Sequence, residues 1–151
     1  MQTSFASILF AAAAILPSAM ASPTGSTLEA RKVALPAANQ AYLCNTQKNS
    51  AGTSNIREGI NKLKTMNTKD CAPGDNGKEV RMIKGDGYSF YIGSTGGVKT
   101  GNWKCNTLED PFVTLANSCG GEVDGDYRAG GVVWVPGYEG KSYIYATNES
   151  Y

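Results

Sequence analysis

Four cysteines, Cys44, Cys71, Cys105 and Cys119, stand behind an apolar amino terminus, and no other feature restricts this chain so strongly. The first residues, MQTSFASILFAAAAILPSAMA, hold an apolar run over residues 5–16, a helix-breaking Pro17 and then Ala19-Met20-Ala21, the small-x-small pattern read by signal peptidase. No Lys or Arg precedes that run, so the amino terminus alone supplies the positive charge there. The run is well short of the roughly 20 residues needed to cross a bilayer, so residues 1–21 read as a cleaved signal peptide and not as an anchor. No other segment is long or apolar enough to form a transmembrane helix. The expected location is therefore extracellular. In that oxidising space an even number of cysteines implies two disulfides. A zinc site is the competing use of four cysteines, but there is no close C-x-x-C pair and no histidine in the chain. Neither a metal nor a cofactor is expected.

A length of 151 residues suits one domain, and processing shortens it further. Residues 22–40 are polar up to the basic pair Arg31-Lys32, which reads either as a propeptide cut by a kexin-like protease or as a disordered tail. Its Leu28-Glu29-Ala30-Arg31 stretch resembles many secreted fungal precursors. The folded unit is placed at residues 41–151. In the loop-entropy model, bridges closing loops of this size each stabilise a fold by roughly 4 kcal/mol, a large share of the margin of a small domain.

Apolar spacing predicts the elements. Ala41-Tyr42-Leu43-Cys44 reads as a short strand followed by a polar loop. Thr53-Ser54-Asn55 offers helix caps, with Glu58 three residues after Asn55 as in a capping box, and Ile56, Ile60, Leu63 and Met66 fall on one helical face. Val80-Arg81-Met82-Ile83 and Tyr88-Ser89-Phe90-Tyr91-Ile92 read as strands around Gly85-Asp86-Gly87. Leu108, Phe112, Leu115, Ala116 and Cys119 mark a second helix with Pro111 in its first turn, stopped by Gly120-Gly121. Tyr127, Val132-Val133-Trp134-Val135 and Tyr143-Ile144-Tyr145 read as a terminal hairpin around residues 136–140.

Both apolar helix faces are buried most simply by laying the helices side by side on one face of an antiparallel sheet, a two-layer α/β sandwich of the α+β class. Adjacent helices then run antiparallel. The end of the first, near Cys71, meets the start of the second, near Cys105, while Cys44 meets Cys119. Of the three possible connectivities this favours Cys44 with Cys119 and Cys71 with Cys105; parallel helices would break the pairing.

This order of cysteines and helices, with Gly-Gly leading to a cysteine-free terminal hairpin, resembles the killer-toxin-like and Ecp2-like small secreted proteins of fungi over residues 43–146. The resemblance implies a toxin, necrosis inducer or host-manipulating effector, and it brings no shared catalytic residues. The partner it implies is a host protein or a cell-wall or membrane component, met by a monomer.

Catalytic readings have little to stand on. Without histidine, serine or cysteine hydrolase chemistry of the usual kind lacks its base. Tyr42-Leu43-Cys44 resembles the ribonuclease-like effectors of powdery mildews, but that fold ties its C-terminal end with a cysteine, and 32 residues follow Cys119 without one. A small glycosidase needs two carboxylates, and Glu79, Asp86, Glu122, Asp124 and Asp126 are available, although solvated strand ends and Asp-Gly turns account for them better. Asp124-Gly125-Asp126 lacks the further ligands of a calcium loop. A glycan-binding module is the stronger rival, with Trp134, Tyr127, Tyr143 and Tyr145 on the terminal hairpin and Tyr88 and Tyr91 on the central one as candidate stacking residues. Trp134 alternates with Val133 and Val135, so it faces the side of the sheet opposite to theirs; core burial is the competing role for these rings.

Net charge is +1, yet residues 32–104 hold eleven Lys and Arg against five Asp and Glu, and residues 105–151 hold two against seven. Arg57, Lys62, Lys64 and Lys69 are candidates for a basic face toward an anionic partner; no nucleic-acid motif accompanies them and no nucleic acid is expected. The Gly-rich residues 93–101 read as a mobile loop, and Asn148-Glu149-Ser150 is the one glycosylation sequon. The expectation is a secreted effector or toxin that binds rather than catalyses, with a glycan-binding module and a small hydrolase as second and third readings.

Overall fold

A computed structural model describes residues 34–148. The expected signal peptide, residues 1–21, and the basic pair Arg31-Lys32 lie outside the described residues.

The two apolar stripes form two helices. Helix α1 spans Thr53–Thr65 and buries Ile56, Gly59, Ile60 and Leu63; α2 spans Glu109–Ser118 and buries Pro111, Phe112, Leu115 and Ala116. The expected capping box is absent, because α1 starts three residues earlier, with Gly52 at the cap position and no side-chain cap bond. Asn55 is drawn away instead, and its Nδ2 donates to the Gly87 carbonyl at 3.3 Å, tying the helix to the hairpin beneath it.

Strands β1 (Tyr42–Cys44), β4 (Val80–Gly85), β5 (Tyr88–Ser94), β9 (Gly131–Trp134) and β10 (Ser142–Thr147) make one antiparallel sheet in the order β1-β9-β10-β5-β4. Two smaller pairings surround it. Strand β2 (Ala51–Gly52) joins β7 (Gly120–Val123) and β8 (Asp126–Ala129) in the order β2-β8-β7, and β3 (Asp70–Cys71) pairs with β6 (Trp103–Lys104). The β7–β8 hairpin was not anticipated from the sequence. Gly120 and Gly121, expected only to stop α2, are its first residues, and Tyr127 belongs to it and not to the terminal hairpin.

Both helices cover one face of the five-stranded sheet. Ile56, Leu63, Phe112 and Leu115 meet Phe90, Ile92, Val133 and Ile144 in a single core, where Phe90 and Phe112 stack at 3.8 Å between centroids and 9° between planes. This is the α+β layered arrangement with two disulfides. Cys44 is bonded to Cys119 and Cys71 to Cys105, so the start of the sheet is stapled to the end of α2, and the strand after α1 to the turn before α2. The ion pair of Lys64, late in α1, with Glu109, first in α2, at 3.7 Å agrees with antiparallel helices. No helix among the described residues is long and apolar enough to cross a membrane.

Candidate functional site

The face of the sheet away from the helices carries the aromatic residues singled out above. Cross-strand register sets Trp134, Tyr143 and Gly93 in one row and Val132, Tyr145 and Tyr91 in the next. Gly93 is required there, because a Cβ on it would stand 2.6 Å from the Tyr143 ring. Tyr91 and Tyr145 stack at 5.0 Å and 8°, and Trp134 meets Tyr143 edge-on at 6.2 Å. The polar atoms of these rings are satisfied within the protein. Tyr143 Oη donates to Glu79 Oε1 at 3.0 Å, Tyr145 Oη donates to Glu79 Oε2, and Trp134 Nε1 donates to the Ala37 carbonyl at 3.2 Å. Burial, with the Glu79 carboxylate beside them, pushes both tyrosine hydroxyls well above their ordinary pKa. The segment around Ala37 was expected to lie outside the folded unit. It belongs to the unit because the buried indole N–H needs an acceptor, and Pro36 is buried as well.

Trp134, Tyr143 and Tyr145 are only 4%, 8% and 6% exposed, so they close the second face of the sheet and offer no flat pair of rings to a sugar. Tyr127, expected beside them, stands apart on β8 at 61% exposure. Tyr88 is fully buried on the helix side, its hydroxyl donating to Glu58 Oε1 at 3.3 Å. The partner that sequence reasoning missed is Glu79, considered there only among the carboxylates available to a glycosidase. Its signal was the Tyr-x-Tyr spacing of residues 143 and 145, which places two hydroxyls on one face of one strand and so calls for a shared acceptor.

The other carboxylates are dispersed. Asp86 lies in the β4–β5 turn and Glu122 on β7, while Asp124 pairs with Lys48 at 3.7 Å and Asp126 with Arg128 at 2.6 Å. Among the described residues no three His, Cys, Asp or Glu side chains come close enough to hold a metal ion. Asn148 is half-buried and its backbone N–H donates to the Asn49 carbonyl at 2.9 Å; the rest of its sequon lies outside the described residues.

Three of the four basic candidates line two clefts. Arg57 and Lys64 flank a groove of about 310 Å³ between the helices, floored by Ile60, Val113 and Ala116, with Asn61 and Asn117 on its walls. Lys64 is engaged by Glu109, and Lys62 by Glu58 at 2.9 Å, so most of the charge on α1 is answered locally. Lys69 belongs elsewhere. With Arg81 and Lys99 it lines a cleft of about 370 Å³, bounded on one side by Val80, Arg81 and Met82 of β4 and on the other by residues 69–73. The one acid there, Asp70, pairs with Lys104 at 2.7 Å, and that ammonium holds its carboxyl below the usual range. Cys71 forms part of the wall, which makes the Cys71–Cys105 bridge a structural support of this cleft. Lys99 comes from the glycine-rich loop, which is anchored at both ends: Thr95 Oγ1 donates to the Gly140 carbonyl at 2.7 Å, and Thr100 Oγ1 and Ser142 Oγ share a hydrogen bond.

Comparison with protein-family models, with curated proteins and with solved structures returned no match to this chain.

Proposed function

We propose that this chain is a secreted binding protein of the fungal effector or toxin kind, acting on a host or competitor component without catalysis. The observation that carries the reading is the gathering of Lys69, Arg81 and Lys99, from three separate segments, around a cleft whose wall contains a buried disulfide. Such a cleft is a charged recognition surface held on a scaffold suited to an oxidising space. The signal-peptide pattern of residues 1–21 and the cysteine and helix order shared with killer-toxin-like proteins support the same reading. Glycan stacking on Trp134, Tyr143 and Tyr145 is disfavoured by their burial.

The test is infiltration of the purified oxidised protein into leaves of several plant species, beside a reduced and alkylated control. Cell death or a defence response that needs the intact disulfides is the expected result. Absence of any response across the species overturns the proposal and redirects attention to chitin and wall polysaccharides as ligands.

A further inference from the structure

We infer that the Cys44–Cys119 bridge is a thiol-exchange site: a dithiol reductant opens it at Cys44 and frees residues 34–43 from β9, while the Cys71–Cys105 bridge stays closed.

The two bridges differ in what covers them. Cys71 and Cys105 are 4% and 0% exposed and belong to the helix-side core. Trp103 stands directly opposite Cys71 in the β3–β6 pair and packs against that core. Cys119 is buried too, but Cys44 is exposed and has no place in the core. Cross-strand neighbours share a face, and the neighbour of Cys44 is Gly131. Gly120 follows Cys119 in the chain. Neither glycine has a side chain to lay over the bridge. Exchange requires a thiolate to reach a disulfide sulfur, so access selects Cys44 for attack and protects the other pair.

The reaction is a two-step exchange. One thiolate of the dithiol attacks Cys44 Sγ; the bond to Cys119 breaks, and Cys119 departs as a thiolate that takes a proton from water. The second thiolate of the reductant attacks the mixed disulfide at Cys44, closing the reductant's own disulfide and releasing Cys44, which is protonated in turn. Two electrons pass from the dithiol to the bridge, and two thiols remain on the protein. Cys119 stays in place throughout. Its N–H donates to the Leu115 carbonyl at 3.0 Å and its carbonyl accepts from Thr46 Oγ1 at 2.5 Å, so a mixed disulfide left by a monothiol is turned back by Cys119.

The segment that the bond secures is thinly packed. Of residues 34–44 only Pro36 is buried and Leu43 half-buried. Besides the bridge, the segment is held by the three-residue pairing of β1 with β9 and by Trp134, whose backbone N–H donates to the Ala41 carbonyl at 3.0 Å and whose indole donates to that of Ala37. Just after Cys44 the chain is fastened again. The Asn45 N–H donates to the Gly130 carbonyl at 2.9 Å, and Thr46 Oγ1 accepts from the Gly130 N–H at 3.2 Å. Opening therefore stops at Asn45, and what it uncovers is the indole of Trp134.

The experiment exposes the isotopically labelled, oxidised protein to dithiothreitol under native conditions, traps thiols at intervals with iodoacetamide and maps them by mass spectrometry, with NMR on the same samples. Cys44 and Cys119 should be alkylated at least about tenfold faster than Cys71 and Cys105. In the half-reduced protein the Trp134 indole N–H should shift and exchange faster with solvent, while the Trp103 indole and the amides of α1 and β5 keep their positions. A Cys44→Ala, Cys119→Ala double variant should give that spectrum without any reductant. Should the variant fail to accumulate, the alkylation rates and spectra of the wild-type chain decide. The inference is overturned if all four cysteines react at one rate, if Cys71 and Cys105 react first, if the Trp134 signal is unmoved in the half-reduced protein, or if the amide pattern of α1 and β5 collapses with this bridge.

Discussion

On the helix-covered face of the five-stranded sheet, Phe90, Ile92, Val133 and Ile144 meet α1 and α2 carbon against carbon. On the opposite face Trp134, Tyr143 and Tyr145 are nearly as buried, yet each carries a polar atom that finds a partner in Glu79 or Ala37. The first face is held by apolar area and close packing, the second by area together with satisfied hydrogen bonds. Their failures differ accordingly. Truncating a side chain on the first opens a cavity, while removing an acceptor on the second strands donors in a site with little water.

The largest expected effect is on the helix side. Phe90→Ala removes the ring stacked on Phe112 and should lower unfolding free energy by about 4 kcal/mol, read by urea denaturation of the oxidised protein. A loss under about 2 kcal/mol would mean that the helices collapse into the space and that this face is less closely packed than its stacking geometry implies. Next comes Glu79→Ala, which leaves two tyrosine hydroxyls without their acceptor at the cost of about 2–3 kcal/mol. Calorimetry showing an unchanged midpoint would put water in the place of Glu79 and make the second face as plain as the first. Tyr145→Phe keeps the ring and its stack on Tyr91, so it should cost only about 1 kcal/mol.

The last contrast is invisible at neutral pH. Because the folded protein holds the Tyr143 and Tyr145 hydroxyls above their unfolded pKa of about 10, their contribution is complete below that pH and is lost as pH rises beyond it toward the folded values. Denaturation midpoints at pH 8 and pH 11 should therefore fall more for the wild type than for a Tyr143→Phe, Tyr145→Phe double variant. Equal falls would assign alkaline lability to groups off this face.

The sequence exposed the helix side of the molecule far better than the other side. Ile56, Ile60 and Leu63, and likewise Leu108, Phe112 and Leu115, recur at helical spacing, so both helices and their buried faces follow from periodicity alone. Placing those helices antiparallel on one sheet face led to the cysteine pairs found in the structure. What was hidden depended on contacts distant in sequence. Asn55 looks like a helix cap until Gly87, 32 positions later, supplies a carbonyl for its amide. Ala51 and Gly52 give no strand signal, and they become β2 only because β8 pairs with them. Ala37 reads as part of a disordered tail because its role belongs to an indole 97 residues away. The cationic cleft was legible as composition but not as a place. Lys69 was grouped with α1, and Lys99 and Arg81 had no reason in sequence to stand near it.

The position of β10 bears on how the molecule is made. It lies between β9 and β5 at the middle of the sheet, yet it follows the other four strands in chain order. During synthesis all four cysteines and both helices emerge before the strand that completes the sheet. Until β10 arrives, β5 and β9 each expose an unpaired edge and the helices have only part of their floor. Oxidation during that interval acts on an open intermediate, in which wrong thiol pairs compete with the native ones, so the yield of correctly bonded protein should depend on how soon β10 docks relative to disulfide formation.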